Sequence, residues 1–467
     1  MIHEDERPQG FPLSWRSRLI LTSVMSLIVA LIVAFVPAFI SFNHPSINPV
    51  SAIAKVTLVP PNGQSPVAEA SGTAQPSPTG SPLPTTTATA SPSPTTTPAP
   101  GTPTPTPTSP RPPTPTSTPR PPSQFSGLHV QGNKLLNSQG QQVFLRGVNR
   151  SGSEYACIQG WGIFDGPANA ASVQAMVNWK INAVRVPLNE DCWLSINGAP
   201  AASSGATYQN AIANFVSLLN QHGIYAILEL HWSAPGTNTA NGQAPMPDRD
   251  HSITFWQQVA NTFKNNTAVL FDLFNEPYPS SNGDTTNGWQ CWRDGTTSTA
   301  GSCSGTSYKG AAYQVAGMQE LVTAIRNVGA PNVILLGGLQ YSNTLSHWLS
   351  YKPSDPQNNL GASWHIYPVG NICNTTTCYN TQVAPVAASV PLVATEVGES
   401  VDGDACSVTN TNTVLNWLDA HQSGYLAWTW DTWGTSCGDL SLILDYSGTP
   451  KSPNGTNYKA HLASVVG

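Results

Sequence analysis

Residues 124–467 are expected to fold as one α/β domain, a closed (β/α)8 or TIM barrel, preceded by a transmembrane segment and a disordered Pro/Thr/Ser-rich linker. Three observations predict this. Eight short apolar, β-rich runs recur along these residues, and most are continuous in hydrophobicity, as parallel strands buried on both faces are. Longer amphipathic stretches alternate with them, which implies βαβ units, and eight such units close a sheet into a barrel. The length exceeds the roughly 250 residues of a minimal barrel and leaves room for loop insertions.

The strand candidates are 143–148, 183–187, 225–230, 269–274, 333–337, 362–364, 392–395 and 425–429. Helices are expected over 170–180, 208–222, 252–264, 313–328 and 413–421, with the poorest helix signals in the fifth and sixth units. Ahead of the first barrel strand, 128–130 and 134–136 with Gln141 read as a small hairpin that plugs the N-terminal end of the barrel.

The N-terminal quarter has a different composition. Eighteen of the 42 prolines fall between Ser71 and Ser123, among Thr and Ser, with almost no large apolar side chain to bury. Such a tract stays extended, and 43–123 is expected to be a linker. Residues 19–42 are almost wholly apolar, with Arg16 and Arg18 just before them. At about 1.5 Å per residue they span a hydrocarbon core of roughly 30 Å. We expect an uncleaved signal anchor, with 1–18 as a cytoplasmic tail and the barrel outside the cell; secretion after cleavage is the alternative.

Charge and cysteines bound the partners. Net charge is −6 with 9% charged residues, which offers no basic field for nucleic acid and suits a neutral, hydroxyl-rich ligand. All eight cysteines lie in one exported domain, so disulfides are expected, with 291/303 and 373/378 as local staples and 157/192 and 406/437 as the other pairs. No paired CxxC or HxxxH spacing supports a zinc site, and neither metal nor cofactor is expected. A monomer is expected.

A barrel of this kind collects its chemistry at the C-terminal ends of its strands. The first strand candidate ends Arg146-Gly147-Val148-Asn149, the second Val184-Arg185-Val186-Pro187, and the third Leu228-Glu229-Leu230-His231-Trp232. The fourth ends Phe274-Asn275-Glu276-Pro277, the sixth Trp364-His365-Ile366-Tyr367, the seventh Thr395-Glu396-Val397-Gly398, and the eighth Ala427-Trp428-Thr429-Trp430. Taken singly, each is weak: an Asn-Glu-Pro arises by chance, and a buried His is more often satisfied by backbone than catalytic. Their joint occurrence at seven strand ends is the signal. Two carboxylates facing each other across a barrel mouth are what glycosidic hydrolysis needs, one to protonate the leaving oxygen and one to attack the anomeric carbon. Arg185 would keep Glu396 ionised, Asn275 would bind a sugar 2-hydroxyl, and Trp428 would offer a flat apolar face.

In that order the motifs Leu145-Arg146-Gly147-Val148-Asn149, Val184-Arg185-Val186-Pro187, His231-Trp232, Phe271-Asp272-Leu273-Phe274-Asn275-Glu276-Pro277, His365-x-Tyr367 and Glu396-Val397-Gly398 resemble glycoside hydrolase family 5, the cellulase family. The resemblance runs over 143–444 and is most specific at the fourth strand. It implies that Arg185, His231, Asn275, Glu276, His365, Tyr367, Glu396 and Trp428 hold the family's active-site positions, with Glu276 as acid/base and Glu396 as nucleophile. Trp232 joins them as a substrate-binding residue. Val397 stands where the family more often has Phe, and Trp430 competes with Trp428 for the eighth-strand position.

The expected activity is retaining endo-hydrolysis of a β-linked polysaccharide, with β-1,4-glucan first. The alternatives are a β-mannanase or other β-glycosidase of the family, or a non-catalytic carbohydrate-binding wall protein on the same barrel. Retention requires carboxyl groups about 5–5.5 Å apart. Among nearby acids, Glu399 is expected to serve its loop rather than attack, Glu229 to support His231 from the barrel interior, and Asp272 to be structural. Trp161, Trp193, Trp232, Trp289, Trp292, Trp348 and Trp433 fall in or beside the βα loops, and about half are expected to meet ligand.

Overall fold

The computed structural model describes residues 125–279, 282–296, 303–400, 406–434, 436 and 439–465. The expected tail, membrane segment and linker at 1–18, 19–42 and 43–123 lie outside these residues, as does Cys437 of the expected 406/437 pair. Among the described residues no helix is long and apolar enough to cross a membrane.

A hairpin comes first, β1 (Leu128–Gln131) against β2 (Lys134–Asn137). Eight parallel strands follow: β3 (Arg146–Asn149), β4 (Ala183–Asn189), β5 (Tyr225–Trp232), β6 (Val269–Asp272), β7 (Ile334–Gly337), β8 (Leu360–Ile366), β9 (Leu392–Val397) and β10 (Gly424–Ala427). They close in chain order, β10 pairing with β3, so each expected strand is present and the barrel is complete.

Alternation along each strand separates two cores. Val184, Val186 and Leu188 of β4 and Ala226, Leu228 and Leu230 of β5 face outward into the large core beneath the helices. Ala183, Tyr225, Ile227, Leu270, Leu335, Val393 and Leu426 face inward and fill the lower barrel together with Leu128 and Leu135 of the hairpin. The hairpin therefore covers the N-terminal end of the barrel, as expected. Gly147 permits close strand approach there, since a Cβ would fall 1.9 Å from the Ala183 carbonyl oxygen.

Helices α1 (Ala170–Asn178), α2 (Ala206–Gln221), α3 (Ser252–Phe263), α4 (Thr286–Asp294), α5 (Met318–Asn327), α6 (Thr409–Ala420) and α7 (Asn454–Val465) pack outside. On α2 the buried Tyr208, Ile212, Phe215, Val216 and Leu219 form one stripe at helical spacing. One expected helix is corrected: 313–328 begins only at Met318. Ahead of it Val315 bridges to Asp248, and Gly317 is packed so tightly that a Cβ would meet Gly295 N at 2.4 Å. Between β7 and β8 only short turns occur, at Leu339–Ser342 and Trp348–Tyr351, in keeping with the poor helix signals there.

Disulfides Cys157–Cys192, Cys291–Cys303 and Cys373–Cys378 are formed as expected, and Cys406 is disulfide-bonded. The first ties the loop after β3 to the loop after β4; the second braces the insertion after β6.

Candidate active site

The upper barrel interior is polar, and Arg185 is its centre. Its inward position on β4 is wholly buried. Its Nε donates to Asp272 Oδ2 at 3.0 Å, Nη1 to Asn149 Oδ1 at 3.1 Å and Glu396 Oε1 at 2.8 Å, and Nη2 to Asn275 Oδ1 at 3.1 Å. Glu229 Oε1 lies 3.5 Å from Nη2. A guanidinium cannot accept, so Asn275 presents its carbonyl to Arg185 and turns its Nδ2 toward His231 Nε2, 3.5 Å away.

One cation among three buried carboxylates leaves charge uncompensated. Burial pushes Glu229 up to about 8 and Asp272 to about 7, against the opposing pull of Arg185. The same acids raise Arg185 further, so it stays charged.

Glu396 is held on both oxygens. Arg185 takes Oε1, and Tyr367 Oη donates to Oε2 at 2.6 Å. Burial and the Glu396 carboxylate push the Tyr367 hydroxyl well above its ordinary value, which keeps it a donor. Gly398 makes this approach possible, because a Cβ there would meet the Tyr367 ring at 2.7 Å. A bulge aims Glu396. Across β8 and β9, Ser363 pairs with Val393 but His365 pairs with Glu396, and across β9 and β10, Ala394 pairs with Tyr425 but Val397 with Ala427. The extra residue in β9 lets both Thr395 and Glu396 turn inward while Val397 returns to the outer core.

Glu276 follows β6 and is partly exposed at the mouth, its side chain 19% accessible. His365 Nδ1 lies 3.0 Å from Glu276 Oε1 and 3.6 Å from Glu396 Oε2, so the imidazole sits between the two acids. Burial lowers His365 to about 3, and the ring is neutral at ordinary pH. Carboxylate oxygens of Glu276 and Glu396 and a His365 ring nitrogen all lie within 4.8 Å of one another. That closeness sets the two carboxyl groups against one glycosidic bond.

His231 Nδ1 is 3.1 Å from Glu229 Oε2, as the shared strand face implied. The His231 ring stacks on Trp428, with centroids 5.6 Å apart and planes at 16°. Trp430 is fully buried against Trp179, so Trp428 is the residue that stands at the mouth. Trp232 and Trp433 both approach Tyr155, each with centroids at 6.3 Å, and Trp161 lies 5.8 Å from it and is 66% exposed. These rings form an aromatic rim. Trp193, Trp289, Trp292 and Trp348 are wholly buried and pack the loops, so three of the seven loop tryptophans remain accessible.

The expected site residues therefore converge: Arg185, His231, Asn275, Glu276, His365, Tyr367, Glu396 and Trp428 in one network, with Trp232 on the rim. Glu399 accepts from Asn410 N and Thr411 N at the start of α6, which fixes it as a cap of that helix. Sequence reasoning missed three residues. Asn149 reaches Arg185 and the Thr395 carbonyl, and its place at a strand end was the available signal. Glu154 is buried beside His231 and pushed by burial up to about 7. Gln243 reaches Glu276 from the loop after β5. The last two lie in loops without periodicity.

A second group able to hold a metal by distance is Glu190, Asp248 and His251. There His251 Nδ1 faces the Ala234 carbonyl at 3.3 Å and Asp248 Oδ1 at 3.4 Å. A carbonyl only accepts, so that nitrogen carries a proton and donates.

Comparison with known proteins places the chain. The model of the family described as cellulase, glycosyl hydrolase family 5, matches residues 136–434. A mannan endo-1,4-beta-mannosidase of Salipaludibacillus agaradhaerens is 22% identical over 335 residues, covering 69% of this chain and 87% of that protein. Endoglucanase CelA of Streptomyces lividans is 26% identical over 319 residues, covering 65% and 56% respectively. The solved beta-glucanase SdGluc5_26A from Saccharophagus degradans shares the fold, with a TM-score of 0.52 at 19% identity over 74% of this chain and 98% of its own. With its barrel, its strand-end motifs and a family match over more than half its length, the chain belongs to glycoside hydrolase family 5.

Proposed function

We propose that the protein is a retaining endo-acting glycoside hydrolase of β-linked polysaccharides, with β-1,4-glucan as its first substrate. A carboxylate oxygen of Glu276 and one of Glu396 within 4.8 Å of each other, with the His365 ring nitrogen between the two acids, carry this reading. Glu396, with both oxygens held by Arg185 and Tyr367, attacks the anomeric carbon. As that C–O bond forms, the bond to the leaving sugar breaks and Glu276 delivers its proton to the departing oxygen. Water then attacks the glycosyl-enzyme, Glu276 takes its proton, and Glu396 is released as the carboxylate. Asn275 Nδ2 meets the sugar 2-hydroxyl, while His231, Trp232 and Trp428 form the walls of the sugar site.

Relatives acting on mannan favour a second reading, a β-mannanase. Both share one mechanism and separate on a panel of β-glucan, xyloglucan and mannan polymers. The apolar 19–42 segment and the linker support an enzyme tethered to the cell membrane, with its barrel outside; the alternative is release after cleavage. Recovery of the enzyme in the medium with an N-terminus beyond residue 42 would rule out the tether.

The mechanism is tested by Glu396→Gly. Turnover is expected to fall on the order of 10⁴–10⁶-fold, as for loss of a nucleophile. Azide in the vacated space should restore reaction of an activated aryl β-glycoside and give the α-glycosyl azide. Near-normal hydrolysis by Glu396→Gly, or an α-anomer as the first product of the native enzyme, overturns the reading.

A further inference from the structure

The loop after β5 leaves the barrel at Ser233 and returns across the mouth, bringing Gln243 against Glu276. Gln243 Nε2 lies 3.1 Å from the Glu276 main-chain oxygen and 3.1 Å from its Oε2. The main-chain oxygen can only accept, so the group facing it is the amide NH2, and the same NH2 donates to Oε2. The carboxyl is thus gripped from two sides, by Gln243 at Oε2 and by His365 at Oε1.

This loop is not free to wander. On one side of Gln243, Ala240 N donates to Asp191 Oδ2 at 2.8 Å and Asn189 Nδ2 donates to the Ala240 carbonyl at 2.7 Å. On the other, Tyr278 N donates to the Pro245 carbonyl at 2.9 Å, and Tyr313 Oη donates to the Met246 carbonyl at 2.7 Å. Tyr278 Oη donates to the Gln243 carbonyl itself at 3.2 Å. Two of these clamps, Asn189 and Asp191, come from the end of β4 and the turn after it. Tyr313 comes from the insertion after β6, which the Cys291–Cys303 disulfide braces.

Among the described residues, Glu229 and His231 on β5, His365 on β8, Tyr367 just beyond it, and Glu396 on β9 also act on Glu276, and each of these titrates. Gln243 is a donor with no titrating proton, so its hold on the carboxyl does not itself change with pH. We propose that Gln243 is a positioning residue for the acid/base, holding the plane of the Glu276 carboxyl and favouring its anion without adding charge. It acts through Glu276. A donor at Oε2 makes the acid readier to release its proton to a poor leaving group, and removing it makes Glu276 a weaker acid. This rests on the reading of Glu276 as acid/base.

The test is the pH dependence of kcat/KM for Gln243→Leu. It uses the β-1,4-gluco- or manno-oligosaccharide that the enzyme turns over, and the 2,4-dinitrophenyl glycoside of the same sugar. The alkaline limb on the oligosaccharide is expected to move up by about 0.5–1 pH unit, the scale of one lost hydrogen bond. Turnover of the oligosaccharide should fall about tenfold, and of the activated glycoside far less, since only the former needs protonation. Gln243→Glu keeps the shape and sets an acid where the donor was, so its limb should move up further. Equal losses on both substrates with an unmoved limb in both variants would overturn the proposal and leave Gln243 a loop residue. Glu276→Ala, run alongside, separates the two levels. If the alkaline limb survives that change, Glu276 is not the titrating acid and the underlying reading fails. If the limb vanishes there but stays fixed in both Gln243 variants, the inference about Gln243 alone fails.

Discussion

The lower and upper halves of the barrel are lined from the same strands, yet they obey different rules. Below, Ile227, Leu270, Leu335 and Val393 meet around the hairpin leucines, and nothing there needs a specific partner beyond shape. Two residues further up the same strands, Glu229, Asp272 and Thr395 replace them, and their side chains are tied to His231, Arg185 and Ser363 respectively. The lower half is stabilised by removing apolar surface from water, at about 25 cal/mol per Å². The upper half holds one guanidinium among three carboxylates in a dry interior, an arrangement that favours orientation over stability. Strand alternation thus delivers a closed floor and a charged mouth from one pattern.

Removing Arg185 should break this contrast most. In Arg185→Met the volume is nearly kept, but Asp272, Glu229 and Glu396 lose the buried cation they share. Stability is expected to fall by about 3–5 kcal/mol, with hydrolysis abolished, because Glu396 is then no longer aligned. Leu270→Ala is the matched change below. It should cost about 2–5 kcal/mol in a guanidinium melt while leaving the shape of the pH–rate profile unchanged. If Leu270→Ala moves the profile as Arg185→Met does, the two halves are not separable.

The two halves also differed in how far sequence revealed them. The floor was legible because parallel strands buried on both faces read as unbroken aliphatic runs, and all eight appeared. Much of the mouth was legible too: Glu229 and His231 share a strand face by simple alternation, and Asn275-Glu276-Pro277 follows its strand directly. Glu396 does stand in the mouth, but alternation alone would have turned it outward beside an inward Thr395. The bulge in β9 that turns it inward leaves no periodic trace. Trp428 and Trp430 stayed unresolved because residues two apart share a strand face only while the strand lasts, and β10 ends at Ala427. Glu154 and Gln243 were hidden because tertiary clamps, and not local pattern, place them. The start of α5 was misjudged for the same kind of reason: backbone packing of Gly317 against Gly295 sets it, while the preceding residues are good enough helix formers to hide the boundary.

A gentler change sharpens the comparison through proton balance. Burial raises Glu229 from its ordinary value of 4.5 to about 8 in the folded protein. Between those values the unfolded chain has given up this proton and the folded chain keeps it. The folded state then binds more protons than the unfolded one, so each rise in pH across the window favours unfolding. Asp272 and Glu154, each raised to about 7, act in the same direction over the lower part of the window. The native enzyme should therefore lose thermal stability as pH climbs from about 5 to 8. Glu229→Gln keeps the side chain's shape and a carbonyl for Arg185 but has no proton to lose, so its melting temperature should decline less steeply. The difference from the native slope should be about 2–4 °C by pH 8, shrinking toward pH 5, where both forms are neutral in the fold. Leu270→Ala should lower the whole curve without changing its slope. A slope that Glu229→Gln leaves intact would mean that Glu229 is ionised in the fold, with Arg185 compensating it.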